Sequence, residues 1–171
     1  QRDILLCHDS AYGEITYDGY RAPSILEVDG AKDVCLEFGS FSKPFNMTGW
    51  RLGYAVGNAE AVAALGVIKT NTDSGQFTAV QHAGVEALAR EPDRFIREVR
   101  AIYGRRREMV AGALEALGWR FTLPGGAFYV WVRVPQGTDS TAFATELLER
   151  AGVAVTPGVA YGEAGEGYFR I

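Results

Sequence analysis

A polar loop enclosed by two short apolar runs most constrains how this 171-residue chain can fold. The runs, Val34–Phe38 and Trp50–Val56, each have the length of a buried strand. The stretch Ser40–Tyr54 follows the first run and overlaps the second. It is rich in Ser, Gly, Asn and Pro, and it carries two cations, Lys43 and Arg51. Hydroxyls, backbone N–H groups and cations together can hold an anion. The sequence therefore predicts a ligand site on a connection between two strands.

A single lysine in a polar loop is usually a solvated charge. Here Ser-x-Ser-Lys is followed, eight residues after the lysine, by the Arg of Gly-Trp-Arg-x-Gly-Tyr. This pattern resembles the lysine segment of class I/II aminotransferases, which are pyridoxal-phosphate (PLP) enzymes of fold type I. The resemblance implies that Lys43 is the Schiff-base lysine and that Ser40 and Arg51 hold the cofactor phosphate. It also places Ser42 among the cofactor-binding residues.

These residue types suit the implied chemistry. A lysine amine can condense with the aldehyde of the cofactor and, once the substrate amine replaces it, can act as a general base. A doubly charged phosphate binds a bidentate cation together with hydroxyl or backbone donors, which Arg51 and Ser40 can supply. One loop would therefore contribute both the reacting amine and the phosphate anchor.

A carboxylate, Asp9, follows the apolar run Ile4–Cys7, in the position where ligands bind in open α/β sheets. Considered alone, Asp9 would more often be a turn or helix cap. Asp-x-x-Tyr ahead of the lysine segment, however, resembles the cofactor-ring motif of the same family. The resemblance implies that Asp9 pairs with the protonated pyridine nitrogen and that Tyr12 hydrogen-bonds the phenolic oxygen of the ring.

An arginine near the end of the sequence completes the set. A lone Arg in a strand is more often an edge charge, but Gly-Glu-Gly-Tyr-x-Arg-Ile resembles the terminal motif of the family, whose Arg clamps the substrate α-carboxylate. The planar guanidinium of Arg170 suits a carboxylate bidentately. The resemblance thus makes Arg170 the substrate-binding residue, carried by a small domain that can close over the cofactor.

Composition excludes several other classes of function. A hydrophobic content of 47% with 22% charged residues is typical of a soluble globule, and a net charge of -4 argues against nucleic acid as a main partner. No apolar run approaches the roughly 20 residues of a membrane span, so we expect a cytoplasmic protein without a membrane partner. The two histidines and two cysteines show no metal-ligand spacing. Cys7 and Cys35 are predicted to be reduced core residues, and Arg105–Arg107 a solvated helix face.

Periodicity predicts an α/β chain. After the lysine loop the predicted elements are a helix at 59–69, a helix at 78–90, a long helix from Pro92 to Gly118, strands at 119–123 and 127–134 joined by a hairpin turn at Pro124–Gly126, a helix at about 140–151, and strands at 153–156 and 168–171. The predicted buried residues are Ala61, Val62, Leu65 and Ile68 in the first helix, and Phe95, Val99, Ile102, Met109, Ala113 and Leu117 in the long one.

The resemblance also implies a domain organisation. It corresponds to the C-terminal part of a fold type I PLP-dependent transferase: residues 1–91 belong to a large PLP-binding domain with a mostly parallel sheet, 92–118 form a bridging helix, and 119–171 form a truncated small α+β domain. The sequence begins with Gln1 and not with an initiator Met, and its last residue, Ile171, lies in a strand-like run. We therefore expect a fragment that is inactive by itself, because the remaining cofactor and substrate contacts would come from the absent half.

The function implied is transfer of an amino group between an amino acid and a 2-oxo acid by a ping-pong mechanism, in a homodimer. The polar segment Thr70–Phe77 is a linker between helices or, by resemblance, a part of the neighbouring subunit's pocket. Asn46–Arg51 and Thr72–Gly75 look most like the LL-diaminopimelate and alanine-type enzymes. Two alternatives stay open: another fold type I PLP reaction, such as elimination or decarboxylation, and a non-enzymatic aminotransferase-like module of a regulator.

Overall fold

The computed structural model describes residues 4–171, so that Gln1 lies outside the described residues. The chain forms two compact units. The first runs as far as Tyr103 and includes Gly125–Ala127, and the second contains Gly104–Pro124 and Phe128–Ile171. One long helix contributes residues to both units.

The first unit contains a three-stranded sheet. Its strands, in spatial order, are β1 (Leu6–Asp9), β2 (Cys35–Ser40) and β3 (Gly53–Gly57). β1 and β2 are parallel, whereas β2 and β3 are antiparallel. The predicted strand at 50–56 begins later than expected because Thr48–Trp50 form a short 3-10 turn and Arg51 has a left-handed φ of 54°. A left-handed residue interrupts extended backbone, so that β3 starts only at Gly53.

Three helices follow this sheet: α1 (Ala59–Thr72), α2 (Thr78–Ala89) and α3 (Pro92–Ala116). Asn58 caps α1 as predicted, since its Oδ1 accepts a hydrogen bond of 2.8 Å from the backbone N–H of Ala61. α1 extends past Lys69, into residues that were expected to form a loop. The Thr70 and Thr72 hydroxyls donate to carbonyls four residues earlier, which lets polar residues continue the helix.

The predicted buried faces of the helices are only partly correct. In α1, Ala61, Val62 and Leu65 are half-buried, but Ile68 is 63% exposed. In α3 only Val99 of the six predicted residues is buried, and the residues of that helix that are buried are Ile96, Val99, Arg107, Ala111 and Leu114. The prediction therefore chose largely the wrong face of α3, because this helix carries apolar residues on its exposed side as well as on its buried side.

Arg107 corrects a second expectation. Its side chain is only 6% exposed, whereas Arg105 and Arg106 are exposed. The Arg107 guanidinium donates to the Pro124 carbonyl at 3.0 Å and to the Glu108 carboxylate at 2.6 Å. A buried guanidinium is tolerated only where its donors are satisfied, so this arginine belongs to the packed side of α3.

The second unit is an antiparallel sheet covered by a helix. Its strands, in spatial order, are β4 (Phe121–Thr122), β5 (Trp131–Arg133), β7 (Tyr168–Arg170) and β6 (Thr156–Pro157), and its helix α4 spans Ser140–Ala151. The helix has the predicted bounds, with Asp139 as its N-cap and Gly152, at φ 67°, as its C-cap. The core of this unit consists of Leu114, Val130, Val132 and Phe169.

The predicted hairpin turn at Pro124–Gly126 is wrong. β4 and β5 are antiparallel neighbours, but Gly125–Ala127 pairs with the segment Ile15–Tyr17 of the first unit instead of forming a tight turn. The Tyr17 N–H donates to the Gly125 carbonyl at 3.0 Å, and the Ala127 N–H donates to the Ile15 carbonyl at 2.8 Å. Gly126 favours this close backbone approach, since a Cβ at its position would lie 3.2 Å from the Ile15 oxygen.

The two cysteines differ from the expectation and from each other. Cys35, on the central strand β2, is fully buried, as predicted, whereas Cys7 is exposed. Cys7 lies on β1, which is an edge strand of the described sheet, and its neighbours Leu5 and Leu6 are also about half exposed. No described helix in residues 4–171 is both long and apolar enough to cross a membrane.

Candidate active site

The loop after β2 folds back on itself and is anchored by a buried aromatic side chain. The Phe41 N–H donates to the Leu52 carbonyl at 3.1 Å, and the Phe41 ring is buried against the edge of Tyr54. Ser42 is also buried; its N–H donates to Ser40 Oγ and its carbonyl accepts from Thr48 Oγ1, each at 3.1 Å. The backbone of the lysine loop is therefore fixed by its own hydrogen bonds.

Helix α2 approaches the base of this loop closely. Gly84 is buried, and a Cβ at this position would lie 2.5 Å from Leu52 Cδ2 and 3.6 Å from the Phe41 ring. A larger residue at this position would force the Leu52 side chain to move. Sequence reasoning missed Gly84, because a glycine inside a helical pattern does not itself reveal what packs against it.

Lys43 and Tyr12 face each other. Lys43 is half-buried, and its Nζ lies 5.4 Å from the centroid of the Tyr12 ring, within the range of a cation–π contact. Tyr12 follows β1 and Lys43 follows β2, and these two strands are parallel. The carboxyl ends of both strands therefore meet at one edge of the sheet, where α/β proteins bind ligands.

Asp9 ends β1 at the same edge. Its Oδ1 accepts a hydrogen bond of 3.2 Å from the Ala11 N–H, which is the turn-capping contact considered as the simpler interpretation. The side chain is exposed, and Asp9 is paired in register with Phe38 of β2. One carboxylate thus supports the turn and also lies at the ligand-binding end of the strand.

Arg51 lies on the far side of the loop, between the 3-10 turn and β3. Its Nη1 donates to the Thr48 carbonyl at 3.1 Å, and its left-handed backbone positions the exposed side chain. The Arg51 carbonyl accepts from Gln76 Nε2 at 3.4 Å, and Gln81 Nε2 donates to the Gln76 carbonyl at 2.8 Å. Sequence reasoning treated Gln76 only as part of a polar segment and missed this contact.

A second polar cluster supports β1 and β2 and was also missed. Glu37 on β2 accepts hydrogen bonds from His8 Nδ1 at 3.0 Å, Ser24 Oγ at 2.7 Å and the Ile25 N–H at 3.0 Å. Burial alone would raise the pKa of the Glu37 carboxyl, but these hydrogen bonds outweigh burial and lower that pKa below its ordinary value. His8 therefore has a structural partner and supports the strand that carries Asp9.

The first unit also contains a cavity of about 650 Å³ that is not lined by the predicted site residues. Acidic and aromatic side chains contribute to its lining, including Glu14, Glu27, Glu37 and Tyr54. The predicted residues Asp9, Tyr12, Ser40, Ser42, Lys43 and Arg51 instead all belong to the strand ends and loops of the first unit. Among residues 4–171, no group of three or more His, Cys, Asp or Glu side chains could hold a metal ion.

Arg170 belongs to the second unit and lies on the face of its sheet that is turned away from the core. Phe169 pairs in register with Val132, and both are buried, so the next pair, Arg170 and Trp131, points to the opposite face. The Arg170 guanidinium carbon lies 4.1 Å from the ring centroid of Tyr129 and 4.5 Å from that of Tyr161. Sequence reasoning identified Arg170 but neither tyrosine.

Close to β7, Glu166 connects the segment before this strand to helix α4. Its carboxylate accepts from Ser140 N–H at 2.8 Å, from Ser140 Oγ at 2.7 Å and from the Gly167 N–H at 2.8 Å. Hydrogen bonds from the fully buried Ser140, first from its hydroxyl and then from its backbone, lower the pKa of Glu166. Sequence reasoning assigned Glu166 no role beyond its place in the motif.

Comparison with known proteins decides the family. The family model described as aminotransferase class I and II matches residues 1–171. The chain belongs to this family. The expected fold is thereby confirmed as the C-terminal part of a fold type I aminotransferase, and PLP is the cofactor of the family.

Relatives and solved structures agree with this assignment. The chain is 55% identical over 169 residues to an LL-diaminopimelate aminotransferase of Moorella thermoacetica, covering 99% of this chain and 43% of the relative. It is 51% identical to LL-diaminopimelate aminotransferase 2 of a Nostoc species, covering all of this chain and 44% of the relative. The aromatic aminotransferase of Pyrococcus horikoshii OT3 matches with a TM-score of 0.93 and 36% identity, over 99% of this chain and 46% of that one. The chain therefore spans less than half the length of these relatives.

The chemistry of the donor set fits PLP. The cofactor presents an aldehyde, a pyridine nitrogen and a phosphate, and the first unit offers an amine, a carboxylate and a guanidinium with hydroxyls. The carboxylate of Asp9 and the amine of Lys43 lie at the carboxyl ends of the parallel strands β1 and β2. Ser40 ends β2 directly before the loop that holds the amine, and Arg51 lies at the other end of that loop. Each chemical group of the cofactor thus has a matching residue type.

Proposed function

We propose that the whole protein to which this chain belongs is a PLP-dependent aminotransferase that moves an amino group between an amino acid and a 2-oxo acid. The observation that carries the proposal is the juxtaposition of Lys43 Nζ, 5.4 Å from the Tyr12 ring, with the carboxylate of Asp9 at the same edge of the β1–β2 pair. An amine, a phenol and a carboxylate at one strand edge match the three functions that the reaction needs from the protein.

Each residue has a distinct role in the proposal. When bound, PLP supplies an aldehyde and an electron-withdrawing ring. Asp9 holds the proton on the ring nitrogen, and Tyr12 donates a hydrogen bond to the phenolic oxygen. Lys43 would hold the cofactor through its amine, and the same amine, once free, would move a proton to or from the substrate Cα. Ser40, Ser42 and Arg51 hold the phosphate, and Arg170 holds the substrate carboxylate.

The substrate and the assembly belong to the same proposal. Several relatives are named LL-diaminopimelate aminotransferases, so we take LL-diaminopimelate as the amino donor and a 2-oxo acid as the acceptor. The protein would act in the cytoplasm as a homodimer, and Thr70–Phe77 would line the pocket of the partner subunit. The division into a large-domain part at 1–91, a bridging helix at 92–118 and a small domain at 119–171 is also proposed.

Lysine labelling tests the cofactor site directly. The full-length protein is mixed with PLP, reduced with borohydride and digested, and the modified lysine is identified by peptide mass. The chain has three lysines, so Lys32 and Lys69 serve as internal controls for Lys43. Selective labelling of Lys43 is expected. Equal labelling of the three lysines, or none, would contradict the proposal and favour the regulator alternative.

A product assay tests the reaction. The full-length protein should convert LL-diaminopimelate and a 2-oxo acid into the exchanged pair, whereas the isolated 171-residue chain should not. Release of ammonia or carbon dioxide instead of a new amino acid would favour elimination or decarboxylation. Transamination by the isolated chain would contradict the expectation that the rest of the protein contributes to the site.

A further inference from the structure

The guanidinium of Arg170 lies over two aromatic rings. The ring centroids of Tyr129 and Tyr161 lie 4.1 and 4.5 Å from its central carbon, and Arg170 itself is half-buried. Within the described residues of the second unit, Arg170 makes no side-chain hydrogen bond or ion pair. The guanidinium is therefore positioned by its two ring contacts and not by a carboxylate.

We propose that Tyr129 and Tyr161 are positioning residues that hold the faces of the Arg170 guanidinium and leave its edge for a carboxylate ligand. A guanidinium has five N–H donors, all in its plane, and it binds a carboxylate bidentately only along an edge. Rings that contact its faces restrict rotation without occupying those donors. The inference rests on the proposed function, in which Arg170 receives the substrate carboxylate.

Both tyrosines are themselves held in place by their surroundings. Tyr129 precedes a backbone pair in which Val130 and Ile171 exchange two hydrogen bonds, of 3.1 and 3.0 Å, directly beside Arg170. This exchange fixes the backbone of both stacking partners at adjacent positions. The Tyr129 ring also contacts the Phe128 ring, with the centroids 4.9 Å apart, so that a neighbouring side chain further limits its position.

Tyr161 is held differently. It ends the 3-10 helix Gly158–Tyr161 and meets Trp131 edge to face, with the ring centroids 5.3 Å apart. Gly158 and Gly165 approach so closely that a Cβ on Gly158 would lie 1.9 Å from the Gly165 carbonyl oxygen. That approach, which only glycine permits, locks the turn that carries Tyr161. The backbone turn that carries the second ring is therefore also fixed.

Binding of pimelate by the full-length protein tests the inference without requiring turnover. Pimelate is an unreactive seven-carbon dicarboxylate, and its dissociation constant can be measured by calorimetry with the PLP-loaded protein. Tyr129→Leu and Tyr161→Leu should each weaken pimelate binding about ten-fold, since loss of one cation–π contact releases the guanidinium. The Phe variants at the same positions keep the ring and should bind almost as the wild type does.

The matched control is Tyr20→Leu, which removes an exposed tyrosine of the first unit that is not among the proposed site residues. This variant should leave pimelate binding unchanged. Borohydride labelling of Lys43 should be equal in all variants, which shows that the cofactor region is intact. If a Leu variant does not fold, its Phe counterpart and the Leu variant at the other tyrosine still measure the effect of the rings.

A double-mutant cycle separates positioning from general support of the fold. In an Arg170→Met background, Tyr161→Leu should have no further effect on pimelate binding, because the group that it positions is gone. Equal losses in both backgrounds, or Leu variants that bind pimelate like the wild type, would overturn the inference. If the variants change pimelate binding as expected but the wild type does not catalyse transamination, only the proposed reaction is overturned. A wild type that does not bind pimelate would overturn both.

Discussion

The two units hold their proposed site residues in different ways. In the first unit the lysine loop is fixed by backbone geometry: Ser42 bonds within the loop, and Arg51 has a left-handed φ of 54°. In the second unit Arg170 is held by side-chain packing against Tyr129 and Tyr161. Backbone-held positions depend on local sequence, whereas packing-held positions depend on residues distant in sequence. The local motif therefore describes the first unit's site more fully than it describes the second's.

The largest expected effect is the loss of the reacting amine. In the full-length protein Lys43→Ala should reduce the rate of transamination by about a thousand-fold or more, because the side chain is both the amine that binds the cofactor and the general base. Rapid-mixing measurement of the half-reaction with LL-diaminopimelate checks this. Lys32→Ala, at an exposed position in the same unit, is the matched control and should behave as the wild type. A Lys43→Ala rate within ten-fold of the wild type would contradict the assignment.

Loss of the phosphate anchor should have the next largest effect. Arg51→Ala is expected to weaken PLP binding by about 10- to 100-fold, the size of a lost charge-assisted bidentate contact. Equilibrium dialysis with the full-length protein measures the affinity. Arg51→Lys keeps the charge but loses the planar guanidinium, so its affinity for PLP should lie between those of the wild type and Arg51→Ala. Arg90, exposed and paired with Glu86, provides the control: Arg90→Ala should leave PLP affinity unchanged.

Glu166 tests whether packing in the second unit depends on charge. The folded state lowers the pKa of Glu166, so the ionised carboxylate stabilises the fold at any pH above the ordinary pKa of a glutamate. This contribution to stability is lost as the pH falls through the lowered pKa. Glu166→Gln should therefore lower the midpoint of thermal unfolding at neutral pH, and the difference should vanish once the pH is below the lowered pKa of Glu166.

The control for Glu166 is Glu163→Gln. Glu163 is exposed and belongs to the neighbouring short 3-10 helix, Glu163–Gly165. The midpoint of thermal unfolding of the Glu163→Gln variant should equal that of the wild type at every pH. A Glu166→Gln midpoint that differs from the wild type equally at neutral and acid pH would show that the carboxylate charge is not the stabilising feature.

Much of the fold could be predicted from local sequence signals. The strand–loop–strand pattern around Lys43 and the capping of α1 by Asn58 follow from periodicity and capping signals, and α4 has the predicted bounds. The register of the buried face of α3 could not be predicted, because a long helix with apolar residues on two sides has two candidate faces. Burial of Arg107 depends on the Pro124 carbonyl, which local pattern does not reveal.

The same limit applies to the site. The motif residues that the family resemblance implies could be named from sequence, whereas their supports could not. Gly84 and Tyr129 act through neighbours that lie far away in sequence. Tyr161 precedes Arg170 by nine residues, but no periodicity or spacing connects the two. Pairing of Gly125–Ala127 with Ile15–Tyr17 is a long-range contact of the same kind.

The smallest expected effect concerns Gln76, which adds a long-range contact to the backbone-held site. Its amide donates to the Arg51 carbonyl at 3.4 Å, a long hydrogen bond that is open to solvent. Gln76→Ala should weaken PLP binding by only about two- to five-fold, as expected for one neutral hydrogen bond of about 0.5–1 kcal/mol.

Gln136→Ala, at an exposed position in the second unit, is the control for Gln76 and should not change PLP affinity. In an Arg51→Ala background the effect of Gln76→Ala should disappear, because the guanidinium whose backbone it holds is absent. A ten-fold or larger effect of Gln76→Ala would mean that a distant side chain, and not the local turn, positions Arg51. The first unit would then rely on long-range packing as the second unit does.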